Sequence, residues 1–180
     1  MDIVNRYYMP DRPLILTGFM GSGKSSVGRV LAKRIGIPFV DLDAEMVADD
    51  GRSINDIFAL EGEQFFRSIE STRLERVLAG NRAVIATGGG VVIKDANLAI
   101  MRSKGIVVNL VVSLPHVLKR LQGATDRPLF AGSNAVNSVK LLMDGREQFY
   151  AAADIRIDTD GKSVEDVAAE ILRFLEELHA

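Results

Sequence analysis

Short apolar runs alternate with helically spaced stretches along this chain. The runs lie at Leu14–Thr17, 38–41, 83–87, 106–112 and Ile155–Asp158, and most lack polar alternation. That is the pattern of strands covered on both faces of a parallel sheet. Between them, apolar positions recur at helical spacing over 26–35, 67–80, Asp95–Lys104 and 163–178. Asp95 is placed to cap its helix, with Gly105 just past the end, and Ser163-x-x-Asp166 has the form of a capping box. Such alternation predicts a three-layer α/β fold: a five-stranded parallel sheet with right-handed crossovers and helices on both faces. Ligands in folds of this kind gather beyond the carboxyl ends of the strands.

The turn after the first strand is Gly18-Phe19-Met20-Gly21-Ser22-Gly23-Lys24-Ser25, which fits the phosphate-loop pattern G-x-x-x-x-G-K-[ST]. Its flanks, a buried strand and an amphipathic helix, are the context that distinguishes such a loop from a glycine-rich turn. Glycines at 18, 21 and 23 let successive N–H groups converge on one anion, and the following helix adds the positive end of its dipole. Lys24 supplies a point charge to the β- and γ-phosphates, and the Ser25 hydroxyl is a candidate Mg²⁺ ligand. The chain is therefore expected to bind ATP through Gly21, Ser22, Gly23, Lys24, Ser25 and Ser26.

Composition narrows the setting. A chain of 180 residues with 47% hydrophobic and 26% charged residues is expected to form one domain, 1–180, with its core over 13–179. Lys and Arg number 22 against 24 Asp and Glu, so the net charge of −2 offers no basic excess for a nucleic acid or an anionic membrane. There is no cysteine for a disulfide or a thiolate metal site. Met1-Asp2-Ile3-Val4-Asn5 does not open a signal peptide, and no run approaches the ~18 apolar residues of a membrane span, so a cytoplasmic address is expected.

Two irregular segments invite a functional reading. Residues 122–137 are rich in Gly, Ala, Ser and Asn and contain Arg127-Pro128, which suggests a lid rather than a plain surface connection. Thr87-Gly88-Gly89-Gly90 follows a strand directly, and is either a tight turn or a place where backbone approaches a ligand closely. Asp41 and Asp43, at the end of the second strand, could hold Mg²⁺ through water and accept a proton, or Asp43 could simply cap the next helix. Arg67 and Glu70 are three apart on one helix face, which suits a surface ion pair as well as an anion grip. His116 and His179 show no metal-ligand spacing and read as structural or surface residues.

Taken together, these segments resemble the shikimate kinases, small P-loop kinases related in fold to the nucleoside monophosphate kinases. The resemblance spans about 14–178. It rests on the loop at Gly18 to Ser26 and on Phe39-Val40-Asp41-Leu42-Asp43. Further support comes from Gly62-Glu63-Gln64-Phe65-Phe66-Arg67-Ser68-Ile69-Glu70, Thr87-Gly88-Gly89-Gly90, Arg127-Pro128-Leu129 and Arg146-Glu147-Gln148-Phe149-Tyr150. The resemblance implies ATP-dependent phosphorylation of the 3-hydroxyl of shikimate by a monomer, in the pathway to chorismate and the aromatic amino acids. It assigns shikimate binding to Asp43, Arg67, Gly89 and Arg146, and catalysis to Asp43, Lys24 and Arg127. Arg120 and Arg127 fall near the nucleotide, and Asp41 near Mg²⁺ and its waters. The implied lid covers about 120–137 and the implied substrate-binding helical region about 43–80. The chain departs from the family pattern at Phe130, at Phe149 and in a neutral lid. Two other readings stand beside it: a kinase for another polyol acid such as gluconate, and a catalytically silent nucleotide-binding regulator.

Overall fold

Five parallel strands form one sheet in the order β2-β3-β1-β4-β5. The computed structural model describes residues 11–121 and 135–178. In chain order the elements are β1 (Leu14–Thr17), α1 (Lys24–Ile35), β2 (Phe39–Asp41), α2 (Leu42–Asp50), α3 (Ile54–Leu78), β3 (Val84–Ala86), α4 (Asp95–Lys104), β4 (Ile106–Val111), α5 (Leu114–Leu121), α6 (Ala135–Tyr150), β5 (Ile155–Asp158) and α7 (Val164–Glu177). All five predicted strands are present, and the chain has the expected three-layer architecture.

β1 is central, with Ile15 registered against Ile85 of β3 on one side and Val107 of β4 on the other. Its four residues are fully buried, as the unbroken apolar run requires. On one face of the sheet Val27, Leu31 and Ile35 of α1 pack with Val167, Ile171 and Leu175 of α7. On the other, Leu74 and Leu78 of α3, Met101 of α4 and Val139 and Tyr150 of α6 form a second apolar layer. A small third cluster of Met46, Ile57 and Phe66 seats α2 on α3. The outer strand β5 alternates buried and exposed residues, because Ile155 and Ile157 face the layer of α1 and α7 while Arg156 and Asp158 point to the opposite, uncovered face.

The helices differ more from expectation. The helix anticipated over 67–80 is the second half of α3, which bends at Gly62 (φ 82°, ψ 171°). The helices α2, α5 and α6 had no separate forecast: the apolar spacing of α2 and α6 is diluted by polar and small residues, and α5 is amphipathic but only eight residues long. Asp95 is not the cap of α4 but its first residue. The N-cap is Lys94, whose side chain makes no capping bond, so Asp95 acts only through its charge in the first turn. The capping box of α7 is complete, with Ser163 and Asp166 bonding each other's backbone. Among the described residues no helix is long and apolar enough to cross a membrane.

Candidate active site

The site assembles at the carboxyl ends of the strands, beginning with the turn between β1 and α1. Gly18, Gly21 and Gly23 have φ of 142°, 74° and 94°, the conformations anticipated from their spacing. The N-cap of α1 is Gly23, with no side chain over the helix start, which leaves the first-turn N–H groups to an incoming anion. Lys24 Nζ donates to the carbonyls of Gly18 at 2.9 Å and Phe19 at 3.0 Å, so its ammonium stands inside the loop. Ser25 Oγ donates to Asp41 Oδ2 at 2.6 Å, bringing the two candidate metal-binding groups into contact. The other oxygen of Asp41 accepts from the Ala44 N–H at 3.3 Å and caps α2. The capping role considered for Asp43 thus belongs to Asp41, and Asp43 lies in the helix's first turn.

Beside the loop opens a cleft of about 340 Å³. Gly21, Ser22, Gly23 and Ser26 form one wall, and Arg120, Thr159 and Lys162 contribute to the rest. Arg120 donates to the Gly21 carbonyl, which ties α5 to the phosphate loop. Thr159 and Lys162 were not singled out in the sequence. Their only signal was position, in the turn that follows β5 at the sheet's carboxyl end. His116 contacts Ser113 Oγ at 3.0 Å and Asp160 Oδ2 at 3.1 Å, which agrees with a structural role. Arg127, most of the expected lid (122–134) and His179 lie outside the described residues.

The acceptor side is organised by the glycine run. A methyl group added at Gly88 would stand 2.7 Å from Glu70 Oε1 and 2.8 Å from Asp43 Oδ1. One at Gly89 would meet Arg146 Nη1, the Gly18 carbonyl and the Met20 N–H nitrogen, each at 3.5 Å. One at Gly90 would stand 2.6 Å from Arg67 Nη1. None of the three has a positive φ, so Gly88 and Gly90 serve space rather than torsion, while a methyl group at Gly89 would make only ordinary contacts. The backbone of the run fits among Asp43, Glu70, Arg67 and Arg146 and against the phosphate loop. Tyr150, one helical turn after Arg146, donates its hydroxyl to the Gly89 carbonyl at 2.6 Å. Burial pushes the Tyr150 phenol up to about 12, against the opposing charge of Arg146.

Arg67 and Glu70 are not a surface pair. Glu70 is 1% exposed, and its Oε2 accepts from Arg67 Nη1 at 2.7 Å. Burial raises the Glu70 carboxyl above the usual range; Arg67 opposes that shift and the neighbouring Asp43 adds to it. The Arg67 guanidinium also lies over the Phe66 ring, 5.3 Å from its centroid. Arg146 lies over the Phe19 ring at 5.7 Å. Glu70 thus belongs to the constellation, and its three-residue offset from Arg67 was the available signal. The arrangement offers an ammonium and the first-turn N–H groups of α1 for phosphates. Next to these stand two guanidinium groups for an acid and a carboxylate at the boundary between the halves. Among the described residues no cluster of three or more His, Cys, Asp or Glu could hold a metal unaided.

A family profile described as shikimate kinase matches residues 20–176. The chain is 51% identical over 165 residues to a shikimate kinase of Geobacter metallireducens, covering 92% of each. It superposes with a TM-score of 0.89 on the solved structure of shikimate kinase from Acinetobacter baumannii in complex with shikimate. That structure is 32% identical, with 94% of this chain and 95% of that one covered. A gluconokinase from Sinorhizobium meliloti, 20% identical with a TM-score of 0.58 over 93% of each chain, shares the fold alone.

Proposed function

This chain belongs to the shikimate kinase family, and from that premise we propose how its residues transfer the γ-phosphoryl group of ATP to the 3-hydroxyl of shikimate. It is an ATP-using kinase, and the products are shikimate 3-phosphate and ADP. The observation that supports this reading best is the glycine run, which gathers Asp43, Arg67 and Arg146 directly against the phosphate loop.

Shikimate is a small carboxylate with three hydroxyls, so one end needs cations and the other a placed acceptor. Arg67 and Arg146 present planar forks to the carboxylate, and each charged hydrogen bond contributes roughly 1.5–3 kcal/mol. Glu70 holds Arg67 in place, and the Gly89 backbone borders the sugar-like ring. Asp43 accepts the proton of the 3-hydroxyl as its oxygen forms a bond to the γ-phosphorus and the bond to the β-bridging oxygen breaks. The electron pair of the broken bond leaves with ADP, and Asp43 later passes the proton to solvent. Lys24 stabilises charge on the transferring group, and Arg127 closes over the phosphates from the lid at about 120–137. Arg120 flanks the nucleotide.

Mg²⁺ fits the donors present. A hydroxyl and a carboxylate in contact are hard oxygen ligands, and a P-loop site adds phosphate oxygens and water to complete the shell. Ser25 would hold the ion directly and Asp41 through water. Bound there with ATP, it would supply positive charge against the phosphates. The protein acts as a cytoplasmic monomer of one domain, without nucleic-acid or membrane partners, and residues 43–80 carry the acceptor side.

Coupled ADP release with MgATP, run with shikimate, gluconate and quinate in parallel, tests the assignment. Strong stimulation by shikimate alone is expected. Equal stimulation by gluconate would move the chain to another polyol-acid specificity, and none by any acceptor would favour a silent regulator.

A further inference from the structure

We infer that Phe19, inside the phosphate loop, is a positioning residue for Arg146, so that the loop holding the phosphates also orients the cation that grips the acid acceptor. The inference rests on the proposed role of Arg146. Arg67 has its own carboxylate, since Glu70 accepts from it at 2.7 Å. Among the described residues no carboxylate forms a salt bridge with Arg146, and its Nε is buried without a hydrogen-bond partner. What stands beneath its guanidinium is the face of Phe19, with 5.7 Å from the guanidinium carbon to the ring centroid. A cation at that distance is attracted by the negative face of the ring, more strongly where water is excluded. Water is largely excluded here, for Phe19 is 3% exposed.

The same residue reaches the nucleotide half through its backbone. The Phe19 carbonyl accepts from Lys24 Nζ at 3.0 Å and from the Ser22 N–H at 3.1 Å. Gly89 lies between the two, since a methyl group added there would touch both Arg146 Nη1 and the loop backbone at Gly18 and Met20. One residue therefore joins the phosphate-binding lysine to the acid-binding arginine. Phe19 also borders a cavity of about 230 Å³ together with Asn109, Met143 and Arg156. An aliphatic residue would keep the apolar contacts with the sheet and lose the face offered to Arg146.

Steady-state kinetics of Phe19→Leu, Phe19→Tyr and Arg146→Lys, with shikimate and ATP varied separately, test this. Phe19→Leu is expected to raise the KM for shikimate roughly three- to tenfold and to move the KM for ATP less than twofold. Phe19→Tyr keeps the ring face and should return the shikimate KM to within about twofold of the parent. Thermal unfolding establishes that each variant is folded, and Phe19→Met replaces Phe19→Leu where leucine is not tolerated. An unchanged shikimate KM in Phe19→Leu, an equal rise in both KM values, or a tyrosine variant that behaves like leucine would each overturn the inference. Arg146→Lys separates the two levels. If it raises the shikimate KM and Phe19→Leu does not, Phe19 is packing and Arg146 keeps its role. If Arg146→Lys itself leaves the shikimate KM unchanged, the reading of Arg146 falls, and the inference about Phe19 with it.

Discussion

Asp43 and Glu70 point their carboxylates at the same glycine, Gly88, yet their surroundings give them different work. Glu70 is committed to Arg67, whereas Asp43 stands in the first turn of α2 beside the phosphate loop. Asp43→Asn should keep ATP binding and lower kcat by ~10²-fold or more, the range of a placed proton acceptor. Calorimetric titration with nucleotide, alongside turnover, checks both halves, and near-parental turnover would remove Asp43 from the mechanism. Glu70 has a pH signature of its own. Its carboxyl binds a proton more tightly folded than unfolded, chiefly through burial. That contribution favours folding below the ordinary Glu range and is lost as pH rises through the raised value. Glu70→Gln carries no charge at any pH and escapes the loss. The Tm of Glu70→Gln relative to the parent should therefore climb as pH rises above the ordinary Glu range. Parallel Tm curves over that rise would show that Glu70 does not titrate there.

At the scale of elements, the bend in α3 is the feature with most consequence. The first half carries Phe58 and Glu61, and the second carries Arg67 and Glu70, so the direction change at Gly62 sets where the arginine arrives. A side chain at Gly62 would meet nothing within 4 Å, and the objection to one is wholly torsional. At φ 82° and ψ 171° an alanine costs about 1–3 kcal/mol. Gly62→Ala should accordingly lower the Tm by roughly 2–10 °C and raise the shikimate KM. An alanine variant as stable as the parent would mean that α3 can straighten without penalty. The arrival of α1 is set by a different glycine, since a methyl group at Gly28 would collide with the Phe39 ring. Here the need is close approach of helix to sheet.

For the whole molecule, both halves of the site hang on one sheet and its two apolar layers. The phosphate loop leaves β1, Asp41 ends β2, the glycine run leaves β3, and the nucleotide cleft is bordered by the turn after β5. Unfolding should consequently be one cooperative transition, with a midpoint raised by MgATP and by shikimate, since both bind only the folded chain. Circular dichroism and tyrosine fluorescence should give coincident curves. Separate transitions would divide residues 43–80 from the rest.

The sequence by itself determined what local chemistry encodes. Unbroken aliphatic runs specify strands covered on both faces, and most of the five strands come from such runs, while β5 shows the alternation of a half-covered strand. The spacing of Gly18, Gly21 and Gly23 before Lys24 specifies the loop, because positive φ and a following helix are properties of the segment alone. The capping box at Ser163 was legible for the same reason. The motifs in their order also pointed to the family. Tertiary structure decided whatever depends on the neighbours that distant segments bring. It made Asp41 rather than Asp43 the cap of α2, turned the Arg67–Glu70 pair from a surface bridge into a buried one, and set Phe19 beneath Arg146. It also showed that Gly88 and Gly90, neither with a positive φ, stand where a side chain would crowd charged groups. Periodicity records which face of an element is buried; it carries no record of the partner across the gap. Desolvation and charge proximity, which govern Glu70 and Tyr150, exist only once that partner has arrived.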